Sequence, residues 1–189
     1  MGRVMELIDI IDEDGNFTGE VRYRDDVHRE GLWHCAVHVW MYNSKGQILI
    51  QKRSAIKDSF PNEWDISCGG HIAAGHSSLN TVLKEVHEEL GIDIGVLALV
   101  YLGQFTKKSV TNNGTFKDNE HDFVYIAECE DEFLDEFVLQ EEEVSEVKWI
   151  SLDELVELSK DINTVFPHHE ESITLVVKHF ERLKGLEDG

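Results

Sequence analysis

Three carboxylates are the first sign of chemistry in this chain. Glu85, Glu88 and Glu89 stand at i, i+3 and i+4 within SLNTVLKEVHEEL, residues 78–90. Side chains at those spacings share one face of a helix. Three acids on one stripe repel one another unless positive charge sits among them. From the stripe alone two readings stay open. One is a solvated acidic face. The other is a hard-cation site, because Mg²⁺ takes oxygen ligands and keeps several of its waters. Lys52 and Arg53, in QKRS, end an apolar strand. Basic side chains there suit a clamp for substrate phosphates, or are ordinary strand-end charge.

Those side chains need a frame. Leu79, Val82, Leu83, Val86 and Leu90 recur at helical spacing, and Gly91 supplies a stop. A helix is predicted over 78–90, packed by Val82, Val86 and Leu90 behind the acid stripe. Residues 5–11 read as a strand, turned at Asp12–Gly15 into a returning strand from Phe17. Residues 34–43 and 47–53 read as a hairpin about Asn43–Gly46. A short strand at 64–68 precedes Gly69 and Gly70, and further strands are predicted at 96–105, 122–128 and 144–150. Ser151 to Glu154 carries a capping-box signature that opens a helix to about Leu158. A last helix, 168–184, places Ile173, Val176, Val177 and Phe180 on one face. The polar stretch 106–121 reads as a loop, and 130–146 as a solvated acidic surface. Trp40 reads as core, and Trp33 and Trp64 as core or pocket wall. Mixed strands with one central helix and C-terminal helices give an α/β (α+β) class in one domain.

Composition narrows the function. With 189 residues, 41% apolar and 29% charged, the chain suits one well-buried domain. Seventeen Lys and Arg against 38 Asp and Glu leave a net charge of −21. Such a chain repels polyphosphate backbones, so a nucleic-acid duplex is excluded as partner. A phosphorylated small molecule would need divalent cations to bridge anion to anion. Three cysteines, Cys35, Cys68 and Cys129, are too few for a disulfide framework and fit a reducing compartment. Met1–Asp14 shows no apolar leader, so the expected location is cytoplasmic. No apolar run approaches the ~20 residues of a membrane span, so no membrane partner is expected.

The span Gly70 to Ile92, GHIAAGHSSLNTVLKEVHEELGI, resembles the Nudix box of the Nudix hydrolase family. Gly70, Glu85, Val86, Glu88, Glu89, Gly91 and Ile92 fill that pattern at its spacing. Two slots depart. His76 stands where the family has its first Glu, and Lys84 where it has Arg. The resemblance implies one Nudix domain over 1–189, a mixed β-sheet sandwiched between helices. It also implies Mg²⁺ (or Mn²⁺) on Glu85, Glu88 and Glu89 as the catalytic cation. Lys84 keeps the charge of an Arg but loses its planar fork. A neutral His76 removes one negative charge and offers a nitrogen, so weak Mg²⁺ affinity is expected.

The resemblance runs wider. GLWHCAVHVWMYNSKGQILIQKRS and FPNEWDISCGGH resemble the Nudix branch related to type I isopentenyl-diphosphate isomerase. That branch implies a second metal site, for Zn²⁺ or Mn²⁺, at His28, His34, His71, Asp118 and Glu120, with the match closest at His34 and His71. Each has a plainer alternative: a strand-edge His34, a turn-capping His71, a surface His28. Glu120, placed in the polar loop, doubles as a candidate general base, a role worth roughly 10²–10⁴ in rate. The isomerase chemistry needs a thiol in the turn before the box. Its slot falls on Gly69, not Cys68, and a one-residue shift on a strand turns a side chain to the opposite face. The expected activity is therefore hydrolysis of a diphosphate linkage in a nucleoside diphosphate derivative, a small-molecule partner. An isomerase-like enzyme and a non-catalytic ligand-binding module are the alternatives. The leaving moiety is not legible, and assembly into a homodimer stays open.

Overall fold

Alternation along one strand decides what lies on each side of the sheet. Strand β3 (Trp33–Tyr42) turns Val37, Val39 and Met41 to one face and Trp40 to the other, as the two-residue period of a strand requires. The computed structural model describes residues 6–57, 59–95, 98–129 and 137–187. Around β3, strand β8 (Phe116–Glu128) runs parallel, from Trp33↔Asn119 to Tyr42↔Glu128. Strand β6 (Cys68–His71) pairs antiparallel on the other side, from Ala36↔His71 to Val39↔Cys68. Strand β7 (Leu99–Thr111) pairs antiparallel with β8. Strand β4 (Ile48–Arg53) pairs with β9 (Val144–Ile150) and β5 (Trp64–Asp65). A separate ribbon, β1 (Leu7–Ile11) with β2 (Phe17–Tyr23), leads into α1 (Arg24–Glu30).

Each face of the sheet has its own core. Helix α2 (Ser78–Leu90) lays Val82, Val86 and Leu90 on Val37, Val39 and Leu49. Helices α3 (Leu152–Leu158) and α4 (Glu170–Glu187) cover Trp40, Ile50 and Ile126 with Leu155 and Val176. The sheet is therefore sandwiched between helices, as expected. Among the described residues no helix is long and apolar enough to cross a membrane. The ends of α2 are where the sequence signals put them. Ser77 Oγ accepts the Asn80 N–H at 3.2 Å, and Gly91 closes the helix at φ 71°. Because Leu90 is fully buried, Leu90→Ala is expected to lower stability by about 2–5 kcal/mol. Urea denaturation monitored by tryptophan fluorescence measures this, and a midpoint unchanged from the parent would contradict the packing.

Four expectations change. The Asn43–Gly46 turn forms, with Gly46 at φ 70° and its N–H on the Asn43 carbonyl at 2.8 Å. Yet β3 and β4 meet only at Tyr42↔Ile48. Beyond that pair β3 follows β6 and β8 while β4 follows β9 and β5, so the hairpin splays and opens a crevice. Residues 106–121 are not a loop but the two arms of a β7–β8 hairpin, paired to Thr111↔Phe116. Asn112, Asn113 and Gly114 turn it at φ 51°, 56° and 90°, the left-handed backbone that tight hairpin turns need. Helix α1 was not foreseen; it buries Val27 and His28 and ends at Gly31, φ 72°. Of the acidic segment 130–146, residues 130–136 lie outside the described residues, as do 96–97 of the strand placed at 96–105 and 1–5 at the N-terminus. Residues 137–140 are pinned to α2, and from Val144 the chain is strand β9. Val138 N–H donates to the Leu90 carbonyl at 3.0 Å, and Phe137 and Leu139 pack on the α2 core.

Candidate active site

The crevice between the splayed strands is a cavity of about 1400 Å³. Gly69, Gly70, Glu85, Glu88 and Glu89 line one part of its wall, and His71, Lys107, Asp118 and Glu120 another.

Gly70 lets the acid stripe reach the strand. A Cβ there would stand 2.7 Å from Glu85 Cδ, so only glycine permits the approach. Lys84 Nζ lies 3.0 Å from Glu85 Oε1 and 2.8 Å from Glu88 Oε2. It ties the two acids together as a point charge rather than as a fork. Glu89 is only 4% exposed and accepts from Gln51 Nε2 at 3.3 Å. Burial, with Glu85 alongside, pushes its carboxyl up to about 8. Burial also raises Glu85, against the opposing charge of Lys84. Two of the three acids are thus desolvated in the cavity wall, and Glu88 stands at its rim with a side chain 46% exposed. Glu85 and Glu89 are therefore not a solvated face, and their charge would be relieved by a proton or by a cation.

The histidines converge from separate elements. His28 comes from α1, His34 from the start of β3, His71 from the end of β6 and Asp118 from β8. Their ligating atoms all lie within 4.8 Å of one another. His28 Nε2 stands 3.2 Å from His71 Nε2 and 3.4 Å from Asp118 Oδ1. His28 Nδ1 meets the Arg24 carbonyl at 2.8 Å and His34 Nδ1 the Leu32 carbonyl at 3.0 Å. A carbonyl only accepts, so both rings carry a proton on Nδ1 and turn Nε2 inward. This is the orientation metal-ligating histidines take. His34 Nε2 and Asp118 Oδ1 find no hydrogen-bond partner among the described residues. Burial lowers His71 to about 4, outweighing its bond to Glu120, so this ring is neutral near pH 7; its Nδ1 accepts from Arg24 Nε at 3.4 Å, which puts its proton on Nε2, facing His28 and Glu120.

Glu120 lies within β8, buried, and not in a loop. Its Oε1 is 3.6 Å from His34 Nε2 and 3.4 Å from His71 Nε2, and its Oε2 is 2.6 Å from Lys107 Nζ. Burial works to raise Glu120, but the Lys107 ammonium and the two imidazoles hold it well below the usual carboxylate range. Burial likewise opposes a proton on His34, and Glu120 restores it, so His34 ends above its ordinary value. The carboxylates draw positive charge to this point, whether as a proton or as a divalent cation.

Other expected residues are placed elsewhere. Lys52 is not in the cavity wall; its neighbours Gln51 and Arg53 are, as strand alternation dictates. Arg53 is committed to Asp65 and Ser59 rather than to an open phosphate site. His76 is exposed, in the turn after Gly75, and outside the cavity wall, the placement of a loop residue turned to solvent. Cys68 is fully buried in the α2 core, where burial pushes its thiol well up. Gly69 does line the cavity, but a Cβ there would stand 2.6 Å from the Val37 carbonyl oxygen. Lys107 and Gln51 were missed. Lys107 was legible in principle, since an Asn-Asn-Gly turn at 112–114 registers it opposite Glu120.

Comparison with known proteins gives the family and the fold. The NUDIX domain model matches residues 32–171. Nudix hydrolase 3 of Arabidopsis thaliana is 42% identical over 151 residues, 79% of this chain, which spans 20% of that longer protein. An isopentenyl-diphosphate Delta-isomerase 2 of Photorhabdus laumondii is 29% identical over 164 residues, covering 85% of this chain and 88% of the relative. The crystal structure of a Deinococcus radiodurans protein superposes with a TM-score of 0.65 at 24% identity, over 82% of this chain and 90% of that one.

Proposed function

The chain belongs to the Nudix family, and from that premise we propose that it hydrolyses a diphosphate linkage in a nucleoside diphosphate derivative, using divalent cations. The observation that carries this reading is that Glu85, Glu88 and Glu89 of α2 line one cavity together with His71 and Asp118, two members of the histidine cluster.

The donor sets fit two kinds of cation. Glu85, Glu88 and Glu89 offer only oxygen and suit Mg²⁺ or Mn²⁺. His28, His34, His71 and Asp118 offer three nitrogens and one oxygen and suit Zn²⁺ or Mn²⁺. A cation bound at the acids would neutralise diphosphate charge and make its phosphorus more open to attack by water. The chain's own residues do the rest. Gly70 and Gln51 position Glu85 and Glu89. Glu120 is ionised beside Lys107 and lines the cavity as the candidate base, though the same ammonium makes it a weaker proton acceptor. The α2 acids, in the same wall, are the alternative bases.

The relatives named as isomerases favour a second reading, double-bond migration in isopentenyl diphosphate. The thiol position counts against it, because Gly69 has no room for a side chain and Cys68 faces the core. A product-mass assay over nucleoside diphosphate derivatives and isopentenyl diphosphate, with Mg²⁺, Mn²⁺, Zn²⁺ or EDTA, separates the two. Hydrolysis of nucleoside derivatives with a metal and none in EDTA is the expected result. Conversion of isopentenyl to dimethylallyl diphosphate, without hydrolysis of any nucleoside derivative, would replace this proposal by the second reading.

A further inference from the structure

The β1–β2 ribbon stands apart from the seven-stranded sheet, and one side of it is open. All seven residues of β2 are exposed. Among the described residues β2 pairs with β1 alone. The register, Leu7↔Tyr23, Ile8↔Arg22 and Asp9↔Val21, sorts side chains by face. Ile8 points into the small core it shares with Ile10 and Val27. Leu7, Val21 and Tyr23 share the opposite face, at 43%, 44% and 43% exposure. The backbone is open as well. Arg24 N–H donates to the Glu6 carbonyl at 2.9 Å, so alternate positions, Arg24 and Arg22, turn their backbone groups toward β1. Val21 therefore directs both its N–H and its carbonyl outward, and Tyr23 its N–H.

Proteins blunt such an edge with lysines, prolines or bulges. A bulge does so at one end here, between Asp9↔Val21 and Ile11↔Phe17, with Gly19 at φ 83°. At the other end α1 begins at Arg24. Between them the charges are self-complementary. Glu20 and Arg22 flank Val21, with Glu20 Oε2 3.0 Å from an Arg22 terminal nitrogen. Two copies of a strand can pair antiparallel about a two-fold axis through one residue. With the axis at Glu20 that acid faces its own copy, and with the axis at Arg22 two guanidiniums meet. With the axis at Val21, Glu20 of each copy faces Arg22 of the other, and four charges alternate in sign around a square. The same axis lets Val21 and its copy exchange two main-chain hydrogen bonds, because its N–H and carbonyl are the groups that point outward. It also sets each Tyr23 opposite Gly19 of the other copy, where even a Cβ would meet nothing within 4 Å. In a chain of net charge −21 acidic faces repel their own copies, whereas this edge is locally neutral.

We propose that β2 is the interface between two copies of this chain, paired antiparallel about Val21. The apolar face of Leu7, Val21 and Tyr23 then runs on into the same face of the other copy. Leu7 and Tyr23 also line the cavity, so the second ribbon extends the wall of the candidate active site. The inference stands apart from the hydrolase reading, and its test is one of assembly rather than turnover.

Sedimentation equilibrium of the full chain, from low to high micromolar concentration, reads the assembly. The parent is expected to pass from monomer to dimer across the series. Arg22→Glu lines the paired edges with four acids, and Glu20→Arg with four bases. Each is expected to weaken self-association by about tenfold or more, since two opposite-charge pairs become like-charge pairs. Both side chains are exposed, so each variant should melt as the parent does, ruling out misfolding. Mixed in equal parts, the two variants should recover the dimer, because acid again faces base. The double variant carrying both substitutions should recover it alone. Val21→Pro removes an outward N–H and no bond to β1, a place where a strand tolerates proline, and should stay monomeric. The proposal is overturned if the parent is a monomer throughout, or if the single variants dimerise as the parent does, which would give the dimer to another surface. It is equally overturned if neither the mixture nor the double variant recovers the dimer.

Discussion

Glu89→Gln is expected to lower metal-dependent turnover by on the order of 10²-fold or more. Changing residues that merely orient metal ligands already costs about 10–100-fold, and Glu89 is a ligand in the proposed site. Gln keeps the shape and can still meet Gln51, so the fold should survive. The pH dependence supplies a second signature. Burial, with Glu85 beside it, raises the Glu89 carboxyl from 4.5 to about 8. Binding a divalent cation must therefore expel a proton below that value, and Mg²⁺ affinity should fall as pH drops from 8. The linkage to folding has the matching sign. A group raised in the folded state contributes stability that is complete below its unfolded value, here near 4.5, and is lost as pH rises through about 8. In EDTA the parent should lose a few kcal/mol between pH 5 and pH 8 from this group, and Mg²⁺ should offset the loss. Glu89→Gln should lack that slope. Thermal melts in EDTA at the two pH values, with Mg²⁺ titrations by calorimetry, read all of this. Equal Mg²⁺ affinities in parent and variant would return the stripe to ordinary acidic surface.

Helix α2 was legible because two independent signals coincide on it. The period of Val82, Val86 and Leu90 fixes the buried face, and Ser77 and Gly91 fix the ends. The same period puts Glu85 and Glu89 toward the sheet edge, and Gly70 could be expected to make room. The crevice itself was not legible. Whether β3 and β4 stay paired past Tyr42↔Ile48 is decided by β6, β8 and β9, partners distant in sequence. The β7–β8 hairpin was hidden for another reason. Its arms satisfy their charges against each other, Lys107 against Glu120 and Lys107 against Asp118, so the apolar alternation that marks a half-buried strand is missing. His28 looked like surface, between Val27 and Arg29, because the helix that buries it was not foreseen. The Nudix resemblance supplied a role for slot 76 but no location, and the exposed turn at His76 shows that a box position is not by itself a place in the cavity.

Lys107→Met is expected to destabilise the fold by about 3–5 kcal/mol, the cost of breaking a buried ion pair on one side. Lys107 Nζ stands 2.6 Å from Glu120, 3.7 Å from Asp118 and 3.9 Å from Asp122. Met fills much the same volume, so the loss is one of charge. Asp122 should matter least. It is fully buried with neither oxygen hydrogen-bonded, and burial together with Glu120 pushes its carboxyl well up. Glu120 is the group left exposed to the loss, because the Lys107 charge is the strongest influence holding it down against burial. A depressed carboxylate contributes stability above its unfolded value, near 4.5, and loses it as pH falls through the folded one. In the variant Glu120 takes up a proton at higher pH and shelters from the penalty. The stability gap between parent and Lys107→Met should therefore be widest near pH 7 and should narrow toward pH 4. The ammonium also repels any cation at His28, His34, His71 and Asp118, so the variant should bind Mn²⁺ more tightly while folding less stably, and Mn²⁺ should recover part of the loss. Urea midpoints at pH 7 and pH 4, with and without Mn²⁺, test the whole pattern. Coincident midpoints at pH 7 would mean that Glu120 finds its positive charge in the histidines alone.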